Sequence, residues 1–401
     1  MAKVAVFGYG TVGSGIVEVI KTNQELIAQR AGEEVDIKYI LDLRDFPGDP
    51  YENLVVHDVE VILNDPEISV IAEAMGGINP AFTFTKRALE SGKSVCTSNK
   101  ELVEAKGAEL LGVAKENGAN YLFEASVGGG IPILRPLVTC LTADHIDAVT
   151  GILNGTTNYI LTKMAEDGAD FDTVLREAQN MGYAERNPEA DIEGHDAGRK
   201  IAIMASLITG KNVPYEKIYT EGITEITPRD FTYAKRMGLV IRLLAMYRER
   251  KGKFFAYVAP AMIGKKNPLY AVSDVFNGIL VHGNMLGEAM FYGAGAGKLP
   301  TASAVAGDVV DCVRAHGQLL PGGWSTEVLD LSEHTFREKK FFIRVPAEDA
   351  DAAEKVFEGS QRIDAGFTDE VGLLTQAVDE VAFEEKANQI PTMITRIRVE
   401  N

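Results

Sequence analysis

The chain has 401 residues, 46% of them hydrophobic and 24% charged, which is the composition of a globular protein with about two or three domains. Its formal net charge of −18 argues against a nucleic-acid or membrane-surface partner, because phosphate binding needs clustered positive charge. No apolar run approaches the roughly 20 residues of a membrane span, and the three cysteines have neither metal-ligand spacing nor the even number of a disulfide framework.

A strand pattern and a glycine-rich loop open the chain. Residues 3–7 form an apolar run typical of a buried parallel strand and leave no room for a signal peptide, so we expect a cytoplasmic protein. The loop Gly8-Tyr9-Gly10-Thr11-Val12-Gly13 leads into a helical pattern, which is the context of a dinucleotide fingerprint. Glycines there permit a tight turn, close approach of a pyrophosphate and close helix packing. The loop predicts a nicotinamide-dinucleotide site; a glycine turn without a ligand is the alternative. The predicted contacts are Gly8, Gly10, Thr11, Val12 and Gly13.

Further strand patterns alternate with helical ones. Strands at residues 35–43, 70–74 and 94–97, with helical periodicity between them, predict a parallel, doubly wound Rossmann sheet. Asp42 and Arg44 lie at the end of the strand predicted at residues 35–43. An acidic residue there would bind the ribose hydroxyl of NAD, and an arginine would bind the 2′-phosphate of NADP, so both cofactors stay open. A solvated charged strand end is equally compatible with these residues.

Two polar features follow. Ser98-Asn99-Lys100 comes after the fourth strand, at the carboxyl edge where open α/β sheets bind ligands, so Lys100 could direct its ammonium group at a reacting carbonyl. A surface lysine is the alternative. Residues 124–133 contain Glu124 and three successive glycines before Pro132, which predicts a hinge-like turn with free carbonyl groups. A carboxylate together with backbone carbonyls also suits a hard cation.

The middle of the chain mixes helical patterns, as at 195–209 and 230–238, with strand patterns, and this predicts an α+β domain. Asn154-Gly155-Thr156-Thr157 lies at a strand-to-helix junction, where such residues bind a polar or anionic small molecule or simply cap the helix. Asp196 and Lys200 are one helical turn apart at the start of a nearly apolar helix. They form either a surface ion pair or a partly desolvated pair suited to proton transfer.

The last part of the chain begins with a second glycine-rich loop at 293–303, followed by a helical pattern and the linker Pro321-Gly322-Gly323. Beyond it, strand and helix patterns predict a small ferredoxin-like, ACT-like domain. The predicted architecture is therefore α/β with three domains. They are a Rossmann domain at 1–131 to which 302–320 return, a substrate-binding and dimerisation domain at 132–301, and an ACT-like domain at 335–401.

Five separate motifs, in matching order, resemble those of homoserine dehydrogenases. The string GILNGTTNYILTKM at 151–164 carries the resemblance most strongly, and the family's Ala-Asn-Lys reads Ser98-Asn99-Lys100 here. Ala294 stands where the family usually carries proline. The resemblance covers residues 4 to about 310. It implies a monofunctional enzyme that transfers a hydride between NAD(P)H and the C4 carbonyl of L-aspartate 4-semialdehyde, giving L-homoserine for threonine and methionine biosynthesis.

The resemblance also implies catalytic and substrate-binding roles. Lys200 first, and Lys100 second, would stabilise the oxygen that gains charge and supply its proton, with Asp196 assisting. Glu185 would bind the substrate amino group, with Asp191 nearby. The other residues that would line the substrate site are Thr156, Gly182 and Tyr183.

Cofactor and cation contacts are implied in the same way. Arg44, Lys100 and Gly297 would join the glycine loop in binding the nucleotide, with NADP preferred and NAD tolerated. A monovalent cation, usually sodium, would also be bound. Its ligands would be Glu124 and the carbonyl groups of Val127, Gly129 and Ile131.

Two other functions are compatible with parts of the sequence. One is a related amino-acid or semialdehyde oxidoreductase; the phosphorylating type would need a catalytic cysteine, and none lies in the substrate-domain motifs. The other is a catalytically silent NAD(P)-sensing protein, which would have lost the carboxylates and lysine at 185–200 that are present here. The tail lacks the usual Asp-x-Pro-Gly loop, so threonine regulation and a structural role are equally compatible with it. Family analogy predicts a homodimer or homotetramer.

Overall fold

A computed structural model describes residues 1–332 and 338–400 of the chain, which divides by its internal contacts into two compact units. Unit 1 contains Met1–His145, Arg199–Tyr215 and Phe291–Leu329. Unit 2 contains Ile146–Gly198, Glu216–Met290 and Asp330–Asn401. The division into three domains stays a prediction, and residues 335–337 and 401 of the predicted tail lie outside the described residues.

The elements of the N-terminal part alternate between strand and helix, as the sequence predicts. They are β1 (Ala2–Phe7), α1 (Thr11–Thr22), α2 (Gln24–Ala31), β2 (Val35–Leu41), β3 (Val55–Val56), α3 (Val59–Leu63), β4 (Ile68–Glu73), α4 (Ala81–Glu90), β5 (Ser94–Thr97), α5 (Lys100–Glu116), β6 (Tyr121–Leu122) and α6 (Leu134–Thr139).

The middle part follows with longer antiparallel strands. Its elements are β7 (Ile146–Ile152), α7 (Gly155–Asp167), α8 (Phe171–Asn180), α9 (Glu189–Ile192), α10 (His195–Thr209), β8 (Tyr219–Thr220), α11 (Pro228–Met237), β9 (Leu239–Arg250), β10 (Lys253–Gly264), β11 (Phe276–Gly283), β12 (Gly287–Ala294) and α12 (Lys298–Arg314). The tail forms β13 (Lys340–Pro346), α13 (Ala350–Val356), β14 (Gln361–Ile363), β15 (Glu370–Leu374), α14 (Glu380–Ala387) and β16 (Thr395–Glu400).

Unit 1 is built on a parallel sheet. Its strand order is β3-β2-β1-β4-β5-β6, and every pairing is parallel. This is a doubly wound order: strands are added to one side of β1 as far as β3 and to the other side from β4 onward. Sheets of this kind bind ligands at the carboxyl ends of the strands where the order changes, here β1 and β4. The predicted Rossmann sheet is therefore confirmed. Four successive residues of β1, from Val4 to Phe7, are fully buried, which is why the strand reads as an uninterrupted apolar run.

Helix α12 packs against the same sheet. Ala302, Val305 and Val309 of α12 belong to one hydrophobic cluster with Ile16 and Val17 of α1. The helix begins at Lys298 and ends at Arg314, whereas the segment predicted to return to this domain was 302–320. It ends early because His316 and Gly317 have positive φ angles of 47° and 80°, which a right-handed helix cannot contain.

Unit 2 contains a mixed sheet. Its strand order is β12-β11-β7-β9-β10-β16-β13-β15-β14, and β8 also pairs with β10. Strands β9 and β10, of twelve residues each, form a hairpin in which Leu239 pairs with Gly264 and Arg250 with Lys253. The two residues of its turn, Lys251 and Gly252, have φ angles of 54° and 73°, as a type I′ turn requires.

The C-terminal strands and helices follow the order βαββαβ. The last strand, β16, lies between β13 and β10, so the arrangement of the four tail strands is 4-1-3-2, as in ferredoxin-like units. The parallel pairing of Ala261 with Arg398 makes the tail a continuation of the sheet of unit 2. Among the described residues, the helices include none that is long and apolar enough to cross a lipid bilayer.

Candidate active site

The glycine-rich loop lies between β1 and α1 in unit 1. Gly8 has a φ of 87°, and a Cβ atom on Gly13 would lie 1.8 Å from the carbonyl oxygen of Gly8, so residue 13 must be glycine for the turn to close. A Cβ atom on Gly10 would meet no atom within 4 Å, which leaves the approach to the first turn of α1 open. The predicted helix contacts Thr11 and Val12 begin that turn, where backbone N–H groups favour an anion.

The end of β2 carries the charged residues predicted to bind the ribose. The strand ends at Leu41, two residues earlier than predicted, and Asp42 begins the following turn. Arg44 donates from Nε and Nη2 to the two carboxylate oxygens of Asp42, at 2.9 and 3.0 Å. The backbone N–H of Tyr9 in the glycine loop donates to the same carboxylate at 2.8 Å. These hydrogen bonds hold the pKa of the Asp42 carboxyl well below its usual range, so the pair is ionised.

His57, which the sequence reasoning passed over, supports this turn. Its Nδ1 lies 2.7 Å from the carbonyl oxygen of Asp42, and its Nε2 lies 3.1 Å from the carboxylate of Asp45. Both partners are acceptors, so both ring nitrogens can be satisfied only when they both carry a proton. The hydrogen bond to the carbonyl of Asp42 is the main reason why the pKa of His57 lies above its ordinary value. Arg44 and His57 therefore both contact Asp42 in the turn that follows β2.

The two predicted catalytic lysines lie on helices that an ion pair joins. Lys100 is the first residue of α5, and Lys200 lies on α10 with only 8% of its surface exposed. Their neighbours Glu101 and Arg199 form an ion pair with 3.3 Å between Oε1 and Nη1. This pair was not predictable from sequence, because its members are 98 residues apart in the chain.

The predicted substrate-binding residues of unit 2 meet at Asn154, the N-cap of α7. Its Oδ1 accepts the N–H of Thr157 at 2.8 Å. Its amide nitrogen donates to Asp191 at 2.7 Å and to Asp196 at 2.9 Å. Asn154 was not among the predicted site residues, although it lies in the motif, because N-cap asparagines are common and rarely do more than cap.

The remaining predicted substrate residues lie close to α7. The hydroxyl of Thr156 donates to the carbonyl oxygen of Tyr183 at 2.7 Å, and the ring of Tyr183 lies 5.1 Å from that of Tyr159. Gly182 has a φ of 77°, which turns the chain after α8. Glu185 is exposed, and its backbone carbonyl accepts a hydrogen bond from the side-chain amide of Gln179 at 3.0 Å.

Helix α10 carries Asp196 and Lys200 one turn apart, as predicted. Asp196 is 3% exposed and lies in the first turn, where the helix dipole favours a carboxylate. Asp196 belongs to unit 2, and Lys200 belongs to unit 1. The burial of both residues rules out a fully solvated surface ion pair, which was the alternative from sequence.

The segment predicted to bind a cation is held around Glu124. The carboxylate of Glu124 accepts three backbone N–H groups, those of Ile133, Leu134 and Arg135, at 2.6–2.8 Å. Among the described residues, no group donates a hydrogen bond to the carbonyl oxygens of Val127, Gly129 and Ile131. Since a carboxylate has about four lone-pair sites, one remains on Glu124 for another partner.

The second glycine-rich loop packs on this segment within unit 1. The N–H of Gly130 donates to the carbonyl of Ala294 at 3.0 Å, and a Cβ atom on Gly129 would lie 2.3 Å from the carbonyl oxygen of Gly295. Gly297, with a φ of 123°, is the N-cap of α12. The predicted cation segment and the second glycine-rich loop, which contains the predicted nucleotide contact Gly297, are therefore neighbours.

Comparisons with known proteins agree with this arrangement. Residues 8–124 match the family described as the NAD-binding domain of homoserine dehydrogenase, and residues 132–310 match the family described as homoserine dehydrogenase. The chain is 42% identical to the homoserine dehydrogenase of Bacillus subtilis over 312 residues, which are 77% of this chain and 72% of that protein. The chain belongs to the homoserine dehydrogenase family.

Solved structures of homoserine dehydrogenases share the fold. The enzyme from Thiobacillus denitrificans is 33% identical, with a TM-score of 0.89 over 100% of this chain and 98% of that one. A hyperthermophilic archaeal homoserine dehydrogenase, solved in complex with NADPH, is 28% identical, with a TM-score of 0.64 over 78% of this chain and 97% of that one. The predicted family, its NAD(P)-dependent oxidoreductase activity on a CH–OH group and its role in amino-acid biosynthesis are confirmed. The roles of individual residues stay predictions.

Proposed function

We propose that this member of the homoserine dehydrogenase family interconverts L-homoserine and L-aspartate 4-semialdehyde at the residues gathered around Asn154 and on α10. The observation that carries the assignment is the amide of Asn154, which donates to both Asp191 and Asp196. Asp196 in turn lies one helical turn before the buried Lys200 on α10. Two carboxylates oriented by one neutral donor suit the ammonium group of an amino acid. Glu185, with Thr156, Gly182 and Tyr183, completes the proposed substrate site.

The chemistry requires a carrier, a proton donor and an oriented substrate. The nicotinamide ring supplies or accepts the hydride when the dinucleotide is bound. Lys200 faces the substrate oxygen, stabilises its charge during reduction and gives it a proton; in oxidation the same group takes the proton back. Asp196, one turn earlier on the same helix, orients Lys200, and Lys100 assists at the carbonyl.

The proposed nucleotide is NADP, with NAD accepted. The open approach at Gly10 and the free N–H groups of the first turn of α1 fit a pyrophosphate. Arg44 lies at the end of β2 with its guanidinium already oriented by Asp42, and it suits a 2′-phosphate. Asp42 in turn suits the ribose hydroxyls of NAD, which is why both nucleotides serve. Lys100 and Gly297 complete the proposed nucleotide contacts.

The proposed cation is sodium. The donor set is one carboxylate, Glu124, and the buried carbonyls of Val127, Gly129 and Ile131, which receive no other hydrogen bond from the described residues. Oxygen ligands without nitrogen or sulfur fit a hard cation. Replacing sodium chloride by choline chloride at constant ionic strength should lower the turnover of the wild type.

We also propose an oligomeric assembly and a role for the tail. Exposed apolar side chains at Phe276, Met285 and Met290 support self-association into a homodimer or homotetramer. The tail serves as a regulatory or structural unit beside a Rossmann domain at 1–131 and a substrate domain at 132–301. The protein works with small-molecule substrates, without nucleic acid or membrane, and in the cytoplasm.

The deciding experiment is oxidation of L-homoserine at alkaline pH with NADP and with NAD. We expect wild-type turnover with both nucleotides, and a loss of at least about 100-fold in Lys200→Ala, the scale of general acid–base catalysis. Lys211→Ala is the matched control, because this lysine lies just beyond α10 and pairs with Glu327 at the surface. Nucleotide binding without turnover of homoserine would contradict the proposal and favour a nucleotide sensor.

A further inference from the structure

Glu73, the last residue of β4, is a buried carboxylate that the proposed mechanism does not use. It is 0% exposed and lies in the strand next to β1, where the strand order of the sheet reverses. Ligands of doubly wound sheets bind at the carboxyl ends of the strands at this point. None of the ion pairs among the described residues includes Glu73, so no cation explains why a carboxylate is buried here.

The carboxylate of Glu73 is held by donors from two segments. The backbone N–H of Met75 donates to it at 2.7 Å, and the hydroxyl of Thr97 donates at 2.5 Å. The two donors bind different oxygens, so both oxygens of the side chain act as acceptors. Burial raises the pKa of Glu73, and the donors oppose that rise.

A chain of hydrogen bonds leads from Glu73 to the start of α5. While it donates to Glu73, the hydroxyl of Thr97 accepts the N–H of Asn99 at 2.9 Å. Asn99 caps the helix by accepting the N–H of Leu102 at 3.2 Å, and it donates to the carbonyl of Gly77 at 2.6 Å. The residue after Asn99 is Lys100, so the start of α5 is linked through Asn99 to Thr97, to Glu73 of β4 and to the loop that follows β4.

We propose that Glu73 is a positioning residue for Lys100, acting through Thr97 and Asn99. The inference rests on the proposed function, in which Lys100 assists at the substrate carbonyl. Glutamine would fill the same space, but it would leave either the N–H of Met75 or the hydroxyl of Thr97 without an acceptor. The first turn of α5 would then lose its fixed relation to the carboxyl edge of the sheet, and Lys100 would move with it.

The test is a double-mutant cycle between Glu73→Gln and Lys100→Ala, measured as homoserine oxidation. We expect Glu73→Gln alone to lower kcat by about 10- to 100-fold, the scale of a small misplacement of a catalytic group. In the Lys100→Ala background the same change should cost less than about threefold, because there is no ammonium left to position. Glu67→Gln, an exposed change just before β4, is the matched control and should leave kcat unchanged.

A merely structural role predicts a different pattern. If the losses of Glu73→Gln and Lys100→Ala multiply, or if Lys100→Ala has no effect, the positioning role is overturned while the proposed reaction stands. Thr97→Val removes the linking hydroxyl with little change in volume and should reproduce the effect on kcat, so the inference does not depend on one variant folding well.

Amide hydrogen exchange gives a readout that does not need turnover. We expect Glu73→Gln to accelerate exchange at residues 99–103, where Leu102 and Val103 donate to Asn99, and Glu67→Gln to leave it unchanged. Absence of wild-type homoserine turnover would count against the proposed function alone, whereas unchanged exchange in Glu73→Gln would overturn the inference.

Discussion

Each unit holds its own predicted site residues in place by a different means. In unit 1, backbone segments approach so closely that only glycine fits, as at Gly13 beside the carbonyl of Gly8. In unit 2, side chains hold the site together, with Asn154 between Asp191 and Asp196. A site made from backbone is therefore sensitive to added volume, whereas a site made from side chains is sensitive to the loss of one polar group.

The largest effect should come from adding volume in unit 1. In Gly13→Val the new Cβ atom would overlap the carbonyl oxygen of Gly8, which lies 1.8 Å from its ideal position. The glycine loop must move, so we expect the Kd for NADP to rise by at least about 100-fold, equivalent to about 3 kcal/mol. Titration of bound nucleotide by fluorescence measures this directly.

Gly112→Ala is the control for this prediction. Residue 112 lies on α5 in the same unit, and a Cβ atom there would meet no atom within 4 Å. Nucleotide affinity should stay at the wild-type value. A normal Kd in Gly13→Val would mean that the loop does not need the close approach seen here, and the contrast between the units would lose its basis.

The next effect should come from removing a polar group in unit 2. Asn154→Ala leaves Asp191 and Asp196 without their common donor and exposes them to mutual repulsion. We expect kcat/KM for homoserine to fall by about 10- to 100-fold through misplacement of the carboxylates. Loss of the cap should also lower the free energy of unfolding by about 1 kcal/mol.

Asp170→Ala separates the two consequences of that change. Asp170 caps α8 in the same unit by accepting the N–H of Thr173 at 2.9 Å, and it is exposed. Its removal should cost about the same 1 kcal/mol of stability with kcat/KM intact. Equal kinetic losses in both variants would show that stability, rather than the tie between carboxylates, controls activity.

The same contrast explains what could be predicted from sequence. The strands and glycine loop of unit 1 were predictable because buried parallel strands are uninterrupted apolar runs and the fingerprint is local in the chain. Even so, β2 ends at Leu41 rather than at residue 43, since Asp42 turns away to bind Arg44 and the N–H of Tyr9. Side-chain bonding overrode the alternating pattern there.

Contacts between distant residues were not predictable. Asn154 meets Asp191 and Asp196 across 37 and 42 residues, and β10 pairs with β16 although Ala261 and Arg398 carry no matching signal. Glu73 and Thr97 lie in two separate strand patterns, 24 residues apart. Motif resemblance supplied candidate residues in unit 2, but their hydrogen bonds depend on packing that a single sequence does not encode locally.

Glu124 in unit 1 is an exception that sharpens the comparison, because a side chain there holds backbone together. Its carboxylate accepts the N–H groups of Ile133, Leu134 and Arg135. Glu124→Gln replaces one acceptor oxygen by a donor, so we expect a loss of about 1–3 kcal/mol in urea unfolding. Glu116→Gln, at the exposed end of α5, should change stability by less than about 0.5 kcal/mol.

The smallest effect concerns His57 beside the proposed 2′-phosphate site. Its pKa is raised chiefly by the carbonyl of Asp42, so the charge is fully present below the ordinary value of about 6.5 and is lost as pH rises through the higher folded value. The histidine therefore favours NADP more strongly at low pH. Because the side chain is exposed and screened, we expect His57→Gln to weaken NADP binding by no more than about threefold, and only below that folded value.

The measurement is the ratio of the Kd for NADP in His57→Gln to that in wild type, taken from pH 5.5 to 9. The 2′-phosphate itself titrates near pH 6, but it does so in both proteins, and the ratio cancels it. The same ratio for NAD should be flat, because NAD lacks that phosphate. A ratio for NADP that does not fall toward one as pH rises would mean that His57 only braces the turn through Asp42 and Asp45. Side chains at this edge of unit 1 would then shape the backbone without adding charge to the site.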